Sequence, residues 1–595
     1  MADQPPQRRP PLRPASLSLA AILVGTVAGL GAVAFRGLIA LVHNLLFLGQ
    51  ASVYYDANVH TPGSPWGPLV VLVPVAGALG VAFLVKNFAP EAKGHGVPEV
   101  MDAIYYQHGA IRPVVALVKS LASAISIGSG GSVGREGPII QIGSSFGSTL
   151  GQFVPMPSWQ RITLVSAGAA GGIAATFNTP IGGVLFAVEI LMHEVSVRTL
   201  VPVAISTATA TYVGRLAFGV RPSFVIPKLN ELASHVTHPE ALLFYVVLGV
   251  LTGLVSTLYI RSIYACEDFF ERRTPGNYYL RHGAGMLLVG IASYALLATT
   301  GHYYIEGVGY ATIQDILSGA LSQPWFLLLL AAIKLLATSL TLGSGASGGI
   351  FSPALYLGAT LGGAYGMVLG RIFPQWGMTP VAFAVAGMAG VVGGSTGAAM
   401  AAIVMIFEMT LDYNVIVPMT ITVALSYQVR QALSPESIYT MKLARRGHHM
   451  PDALQTNFHQ LMRAADLMDT GVVILPATDA LGQLALLRRE QPAISCYLIA
   501  EGEQVVGYIE RDAAWELLET HGADARLGDV ARRDYFGVGE QTTLFEIMTA
   551  MHARQATVAL VAMYPYDLSA KEVRGLITRQ QIAAAVVQSA ELFGE

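Results

Sequence analysis

Between residues 17 and 429 the chain runs through thirteen apolar stretches, several too short to cross a bilayer and several broken by glycine or proline. They begin with 17–48 and continue at 67–85, 113–127, 162–174, 180–192, 200–218, 241–259, 283–299, 325–340, 354–369, 381–392, 398–409 and 415–429. A spanning helix needs about 20 apolar residues. In lipid, a broken helix is tolerated only where its freed backbone groups are buried in protein or line a watery cavity. This pattern restricts the fold to a polytopic all-α membrane protein with discontinuous helices, whose ends converge on a site within the membrane.

Charge supports that restriction and bounds its extent. Only 12% of the 595 residues are charged, against roughly 25% in soluble domains. The charges are also uneven. Residues 451–595 hold 11 of the 35 Lys/Arg and 20 of the 38 Asp/Glu, which marks a soluble acidic tail behind the membrane part. The expected divisions are an N-terminal tail at 1–15, a membrane domain at 16–447, a linker at 448–460 and a tail module at 461–590. Arg8, Arg9 and Arg13 precede the first apolar stretch, and Arg445 and Arg446 follow the last, so both termini are expected in the cytoplasm. The first stretch is too long for a signal-peptide core and is expected to stay as a helix. Two cysteines exclude a disulfide scaffold and any Cys-rich metal cluster, and a net charge of −3 gives no reason to expect nucleic acid.

The membrane part repeats itself. Gly128-Ser129-Gly130-Gly131-Ser132-Val133-Gly134-Arg135-Glu136-Gly137-Pro138 matches Gly343-Ser344-Gly345-Ala346-Ser347-Gly348-Gly349-Ile350-Phe351-Ser352-Pro353 at a shift of 215 residues, and Gly143 and Gly147 match Gly358 and Gly362. Duplicated halves with paired loop-to-helix elements are a transporter signature. The repeat boundary is expected at about 220–240. A third such element is Gly94-His95-Gly96-Val97-Pro98-Glu99. In each, proline sits in the first helical turn, where its missing N–H costs nothing. The first N–H groups of a helix have no internal partner and carry about half an elementary positive charge. Several such ends facing one point bind an anion more loosely than a bare cation would, which suits conduction.

Glu136 lies inside the first element. A carboxylate at membrane depth is a functional hypothesis by default. At a helix N-terminus it can occupy the anion's place and leave on protonation, as gate and proton carrier; the plainer reading is a helix-capping glutamate.

These residues resemble a known family. Gly94-His95-Gly96-Val97-Pro98, Gly134-Arg135-Glu136-Gly137-Pro138 and Gly349-Ile350-Phe351-Ser352-Pro353 are similar to the three anion-pathway signatures of the CLC chloride channels and transporters. The resemblance covers about residues 16–446 and includes Phe177-Asn178-Thr179-Pro180 and Ser437-Ile438-Tyr439. It implies inverted halves, a homodimer with one anion path per subunit, and a bacterial inner-membrane location. It makes Glu136 the gate and puts His95, Gly134, Arg135, Gly137, Gly349, Ile350, Phe351 and Tyr439 around the anion. Two departures matter. His95 stands where chloride-handling members usually have serine, which leaves chloride, nitrate and fluoride open as cargo. Ile190 stands where proton-coupled members often carry an internal glutamate, which favours passive conduction over proton-coupled exchange. Glu189, His193 and Glu194 remain a candidate proton relay for the exchanger alternative.

The tail resembles a cystathionine-β-synthase-type pair, at about 461–520 and 526–588. Similar modules hold adenine nucleotides through a Ser/Thr and an Asp three residues on. Here Thr578 is followed by Gln581, and Glu510 by Ala513, so a dimerising scaffold is expected and no nucleotide or other cofactor. An enzyme is not expected either. Gly345-Ala346-Ser347-Gly348 resembles a rhomboid protease nucleophile motif, but no histidine lies between Ser347 and His448, and the 215-residue repeat accounts for the motif. No zinc-protease or Walker motif occurs. A sensor built on the tail alone would not need Glu136 or paired helix ends.

Overall fold

The computed structural model describes residues 11–192, 196–220, 222–226, 239–273, 276–376, 378–448, 462–491, 494–563 and 568–584. The chain forms two compact units, 1–455 and 456–595. The expected repeat boundary and linker fall largely outside the described residues.

The first unit is helical. Its first half comprises α1 (Pro14–Leu48), α2 (Val73–Asn87), α3 (Val97–Tyr106), α4 (Val114–Gly128), α5 (Glu136–Phe153), α6 (Ser158–Phe177), α7 (Pro180–Phe186) and α8 (Val197–Phe218). The second comprises α9 (Leu242–Arg273), α10 (Tyr278–Thr300), α11 (Tyr310–Ser318), α12 (Pro324–Ser344), α13 (Phe351–Ile372), α14 (Pro380–Thr396), α15 (Ala399–Thr410), α16 (Ile416–Leu433) and α17 (Thr440–Ala444). Among the described residues, five helical spans are long and apolar enough to cross a membrane: Pro14–Leu48, Gly67–Asn87, Pro239–Arg273, Tyr278–Thr300 and Pro324–Ser344. Many large apolar side chains on them face outward, as lipid-facing helices require; Leu19, Leu69, Leu243 and Trp325 are each exposed.

The halves are related by inversion. Gly134 and Gly349, partners at the 215-residue shift, each donate N–H to the other's carbonyl at 2.7 and 2.6 Å in an antiparallel bridge. Two equivalent residues bonded reciprocally define a local two-fold axis between them. Neighbouring bonds obey the same axis. Ser123 contacts Ser347 at 2.8 Å, and their counterparts Thr338 and Ser132 meet at 3.3 Å. The buried Lys119 ammonium donates to the carbonyls of Ala92 and Gly94, and its counterpart Lys334 donates to those of Ile305 and Gly307.

Close helix crossings flank the axis. At the α5–α6 crossing a Cβ on Gly143 would lie 2.1 Å from the Gly168 carbonyl oxygen; at α13–α14 a Cβ on Gly358 would lie 2.2 Å from that of Gly387. Such backbone contact is how helices associate in a solvent as apolar as their side chains.

The second unit is an α/β module of two alike sheets. β1 (Val472–Pro476) pairs parallel with β2 (Cys496–Glu501), which pairs antiparallel with β3 (Gln504–Glu510); β4 (Tyr535–Val538), β5 (Val558–Ala562) and β6 (Val573–Thr578) repeat that order and sense. One core, including Leu498, Tyr508, Leu560 and Leu576, joins the two sheets. Thr578 and Gln581 bond reciprocally, Oγ1 to the Gln581 N–H and Oε1 to the Thr578 N–H, which is a capping box at a helix start. Cys496 is buried in the joining core, and that burial, with Glu510 and Asp469 nearby, pushes its thiol up to about 12.

Gly143→Val should cost about 3 kcal/mol or more by forcing α5 from α6, seen as a lowered melting temperature and lost monodispersity in detergent; Gly37→Ala, with open space around it, should match the parent. In the Cys266→Ala protein, Cys496 should resist a maleimide at pH 7.5 in the native chain and label fully in denaturant. Native labelling would contradict the packed core.

Candidate functional site: an anion path between helix ends

The bridge at Gly134 and Gly349 sets α5 and α13 beginning two and two residues later, with their first turns close together. Neither helix spends a side-chain cap on its own first N–H groups. α3 starts beside them. Gly94 donates to Ala346 at 2.9 Å and accepts from Gly348 at 3.2 Å, so the loop ahead of α3 is laced into the loop ahead of α13. Gly137 lies so close to the loop that a Cβ there would sit 2.0 Å from the His95 carbonyl oxygen. Three helix N-termini therefore meet around one place, and the described residues bring His95, Gly134, Arg135, Glu136, Gly137, Gly349, Ile350 and Phe351 into it.

Two poles flank that meeting point. At one, the His95 and Tyr439 rings lie 5.8 Å apart, both side chains buried. The His95 Nδ1 has no hydrogen-bond partner among the described residues, so it is available to a ligand. At the other, Glu136 is 1% exposed, and its carboxylate is held by the α13 end: Oε2 accepts from the Ser352 N–H at 3.3 Å, and Oε1 accepts from the Ser352 hydroxyl and, at 2.7 Å, from the Tyr310 hydroxyl. The Glu136 side chain thus sits on a helix end that an anion would otherwise use. Arg135 lies 5.2 Å from the Tyr310 ring centroid. Beyond it opens a cavity of about 440 Å³ whose lining includes Arg36, Arg135, Arg215, Asn178, Tyr310 and Gln314. Its cationic wall would raise the local anion concentration.

The candidate relay residues stand apart. Glu189 and Ile190 lie on a π-helical turn, Ala187–Met192, that follows α7. Both Glu189 oxygens accept backbone N–H groups at the start of α15, from Met400 at 3.0 Å and Ala401 at 2.7 Å. Glu408 reciprocates at the start of α7, accepting from Ile181 at 3.1 Å and Gly182 at 2.8 Å. Ile190 is buried. His193 and Glu194 lie outside the described residues.

Tyr310 and Ser352 were not anticipated from the sequence, although a signal existed. At a shift of 213, Gly94-His95-Gly96-Val97 falls on Gly307-Val308-Gly309-Tyr310. This is a fourth loop-to-helix element, and it delivers Tyr310 at the first position of α11. The paired lysines Lys119 and Lys334 were also missed, although they too coincide at the 215 shift. Their ammonium donors are engaged by carbonyl groups of the loops.

A family profile described as voltage gated chloride channel matches residues 77–431. The chain belongs to this family. It is 33% identical over 439 residues to the H(+)/Cl(-) exchange transporter ClcA of Yersinia pseudotuberculosis, covering 73% of this chain and 88% of that one. A crystal structure of a slow cyanobacterial Cl-/H+ antiporter superposes with a TM-score of 0.60 at 26% identity, covering 73% of this chain and 98% of the other. A eukaryotic CLC transporter shares the fold over 95% of this chain, with a TM-score of 0.60 at 20% identity. This is a membrane protein of a transporter and channel family, and the protease reading of Ser347 is overturned. Its hydroxyl bonds to the Ala92 carbonyl at 2.7 Å and meets Ser123, partners that tie loops together and include no base.

Replacing Lys119 or Lys334 by methionine should unsettle the loops that present the helix ends. Lys334→Met leaves the Ile305 and Gly307 carbonyls without a donor among the described residues, at about 1–3 kcal/mol each, whereas in Lys119→Met the Ala92 and Gly94 carbonyls keep the Ser347 hydroxyl and the Gly348 N–H. Both variants should melt earlier than the parent in detergent, Lys334→Met by more; an unchanged melting temperature would refute the strapping role.

Proposed function

We propose that this chain carries chloride across a membrane along a path from the His95–Tyr439 pole to the Glu136 pole, and that Glu136 is its gate. The observation that carries this reading is the Glu136 carboxylate lying on the α13 N-terminus in the place of an anion. Chloride and the ionised side chain would compete for the same N–H groups; protonation weakens the hold and frees the site. The backbone groups of Gly134, Gly137, Gly349, Ile350 and Phe351 line the path, Arg135 draws anions to it, and His95 and Tyr439 supply side-chain donors at the far pole. His95 stands in the place of the usual serine, and chloride is favoured as cargo because relatives such as ClcA are described as H(+)/Cl(-) exchange transporters.

Conduction is passive in this reading. Ile190 cannot carry a proton, and the Glu189 carboxylate is engaged at the α15 end rather than free to relay one. The second reading, proton-coupled exchange, is favoured by one observation: relatives such as ClcA are described as H(+)/Cl(-) exchange transporters. The protein acts as a homodimer in a bacterial inner membrane with both termini cytoplasmic. Its tail is a cystathionine-β-synthase-type pair serving as a scaffold, since Thr578 and Gln581 are occupied in capping a helix.

In liposomes the purified protein should release chloride, and Glu136→Gln should abolish most of the pH dependence of that flux; wild-type pH dependence in the variant would remove Glu136 from the gate. An imposed chloride gradient should not drive protons uphill. Uphill movement would establish the exchanger reading instead.

A further inference from the structure

We propose that the hydroxyls of Tyr310 and Ser352 form a latch that holds the Glu136 gate closed and sets the pH at which it opens, so that both are positioning residues for transport. The inference rests on the gate reading above and deepens it. Three oxygens meet in one buried cluster: Glu136 Oε1, Tyr310 Oη and Ser352 Oγ. Tyr310 Oη lies 2.7 Å from the carboxylate and 2.9 Å from Ser352 Oγ, and Ser352 Oγ also touches the carboxylate. All three side chains are nearly inaccessible to water.

The proton count makes the cluster selective for one charge state. An ionised carboxylate is acceptor-only, whereas each hydroxyl has one proton to give. With Glu136 ionised, both hydroxyl protons can point at Oε1, and each bond to a charged acceptor is stronger than a neutral one. With Glu136 protonated, the same bonds go to a neutral acceptor and lose that charge assistance. The carboxyl then gains little from staying, and the two hydroxyls can satisfy each other at 2.9 Å. The latch therefore grips the charged gate and lets go of the neutral one.

The two halves of the protein contribute unequally, which gives the latch its direction. Glu136 comes from the first half, whereas Tyr310, at the first position of α11, and Ser352, in the first turn of α13, come from the second. Other groups face the gate as well. Arg135 adjoins it on its own element, Lys334 acts on its charge from α12, Tyr259 from α9 and Tyr439 from the segment before α17. Lys334 is committed to the carbonyls of Ile305 and Gly307, and the Tyr259 hydroxyl donates to the Ile350 carbonyl at 3.0 Å. Of the groups facing Glu136, Tyr310 and Ser352 are those whose side chains bond its carboxylate among the described residues.

The test is chloride efflux from liposomes holding the full-length protein, recorded from about pH 4.5 to 8.5 for Tyr310→Phe, Ser352→Ala, Ser352→Cys and Ser352→Thr, each also in the Glu136→Gln background. Removing a donor from an ionised carboxylate makes protonation easier, so the flux midpoint should move to higher pH, by about one unit for Tyr310→Phe and for Ser352→Ala. Ser352→Cys, a weaker donor of similar size, should fall between, and Ser352→Thr, which keeps the hydroxyl, should restore the parent profile. None of the four should alter the pH profile once Glu136 is glutamine. Unmoved midpoints in monodisperse protein would overturn the latch while leaving the gate intact. Midpoint shifts that survive Glu136→Gln would place the hydroxyls' effect elsewhere. A Glu136→Gln protein with the parent's own pH profile would overturn the gate, and the latch with it.

Discussion

The reciprocal pair of hydrogen bonds between Gly134 and Gly349 fixes where everything else can be. Backbone groups inside a membrane must find partners within the protein. Here two equivalent loops satisfy each other, and the helices that start beyond them, α5 and α13, begin close together without a side-chain cap from their own N-cap residues. Inversion is what makes this work. A parallel duplication would align the two helix dipoles side by side, whereas an antiparallel bridge turns the two ends toward a shared point. The proposed anion site would thus be a by-product of how two broken segments settle their own hydrogen bonds.

Symmetry also separates structural groups from functional ones. Lys119 with Lys334, Ser123 with Thr338, Ser132 with Ser347, and Gly143 with Gly358 play the same part in each half, so their work is to hold the repeat together. Glu189 and Glu408 make matching contacts as well: Glu189 takes up N–H groups at the start of α15, which carries Glu408, and Glu408 takes up those at the start of α7, which leads into the turn carrying Glu189. Function lies where the symmetry fails. Glu136 has Phe351 as its counterpart, and His95 has Val308. On the proposed reading a gate is needed at one pole only.

The sequence made the membrane character, the repeat and the first three loop-to-helix elements legible, because glycine, proline and missing charge mark backbone constraints directly. Glu136 stood out for the same reason, as a carboxylate where lipid disfavours one. Tyr310 and Ser352 were not legible as gate partners. A buried tyrosine at a helix start has many uses, and the serine of Gly349-Ile350-Phe351-Ser352-Pro353 reads as filler between a glycine and a proline. Their meaning depends on a side chain more than 170 residues away in sequence, brought close only by the inversion. Glu189 posed the opposite problem. With His193 and Glu194 within a turn of it, Glu189 read as a candidate relay; that its carboxylate takes up main-chain N–H groups on α15 is announced by no local pattern.

In the proposed reading the gate and the anion it excludes would solve one electrostatic problem in two ways, which accounts for the few full charges near the centre of the site. A helix end offers about half a charge, enough to hold either an anion or a carboxylate but not both. If a lysine stood free there, the carboxylate would pair with it permanently and protonation would seldom release the gate. Lys119 and Lys334 avoid this by spending their donors on loop carbonyls. Hydroxyl groups such as those of Tyr310 and Ser352 add grip without adding charge. In the proposed latch they would hold an ionised glutamate through bonds to its charge, without placing a second charge beside it.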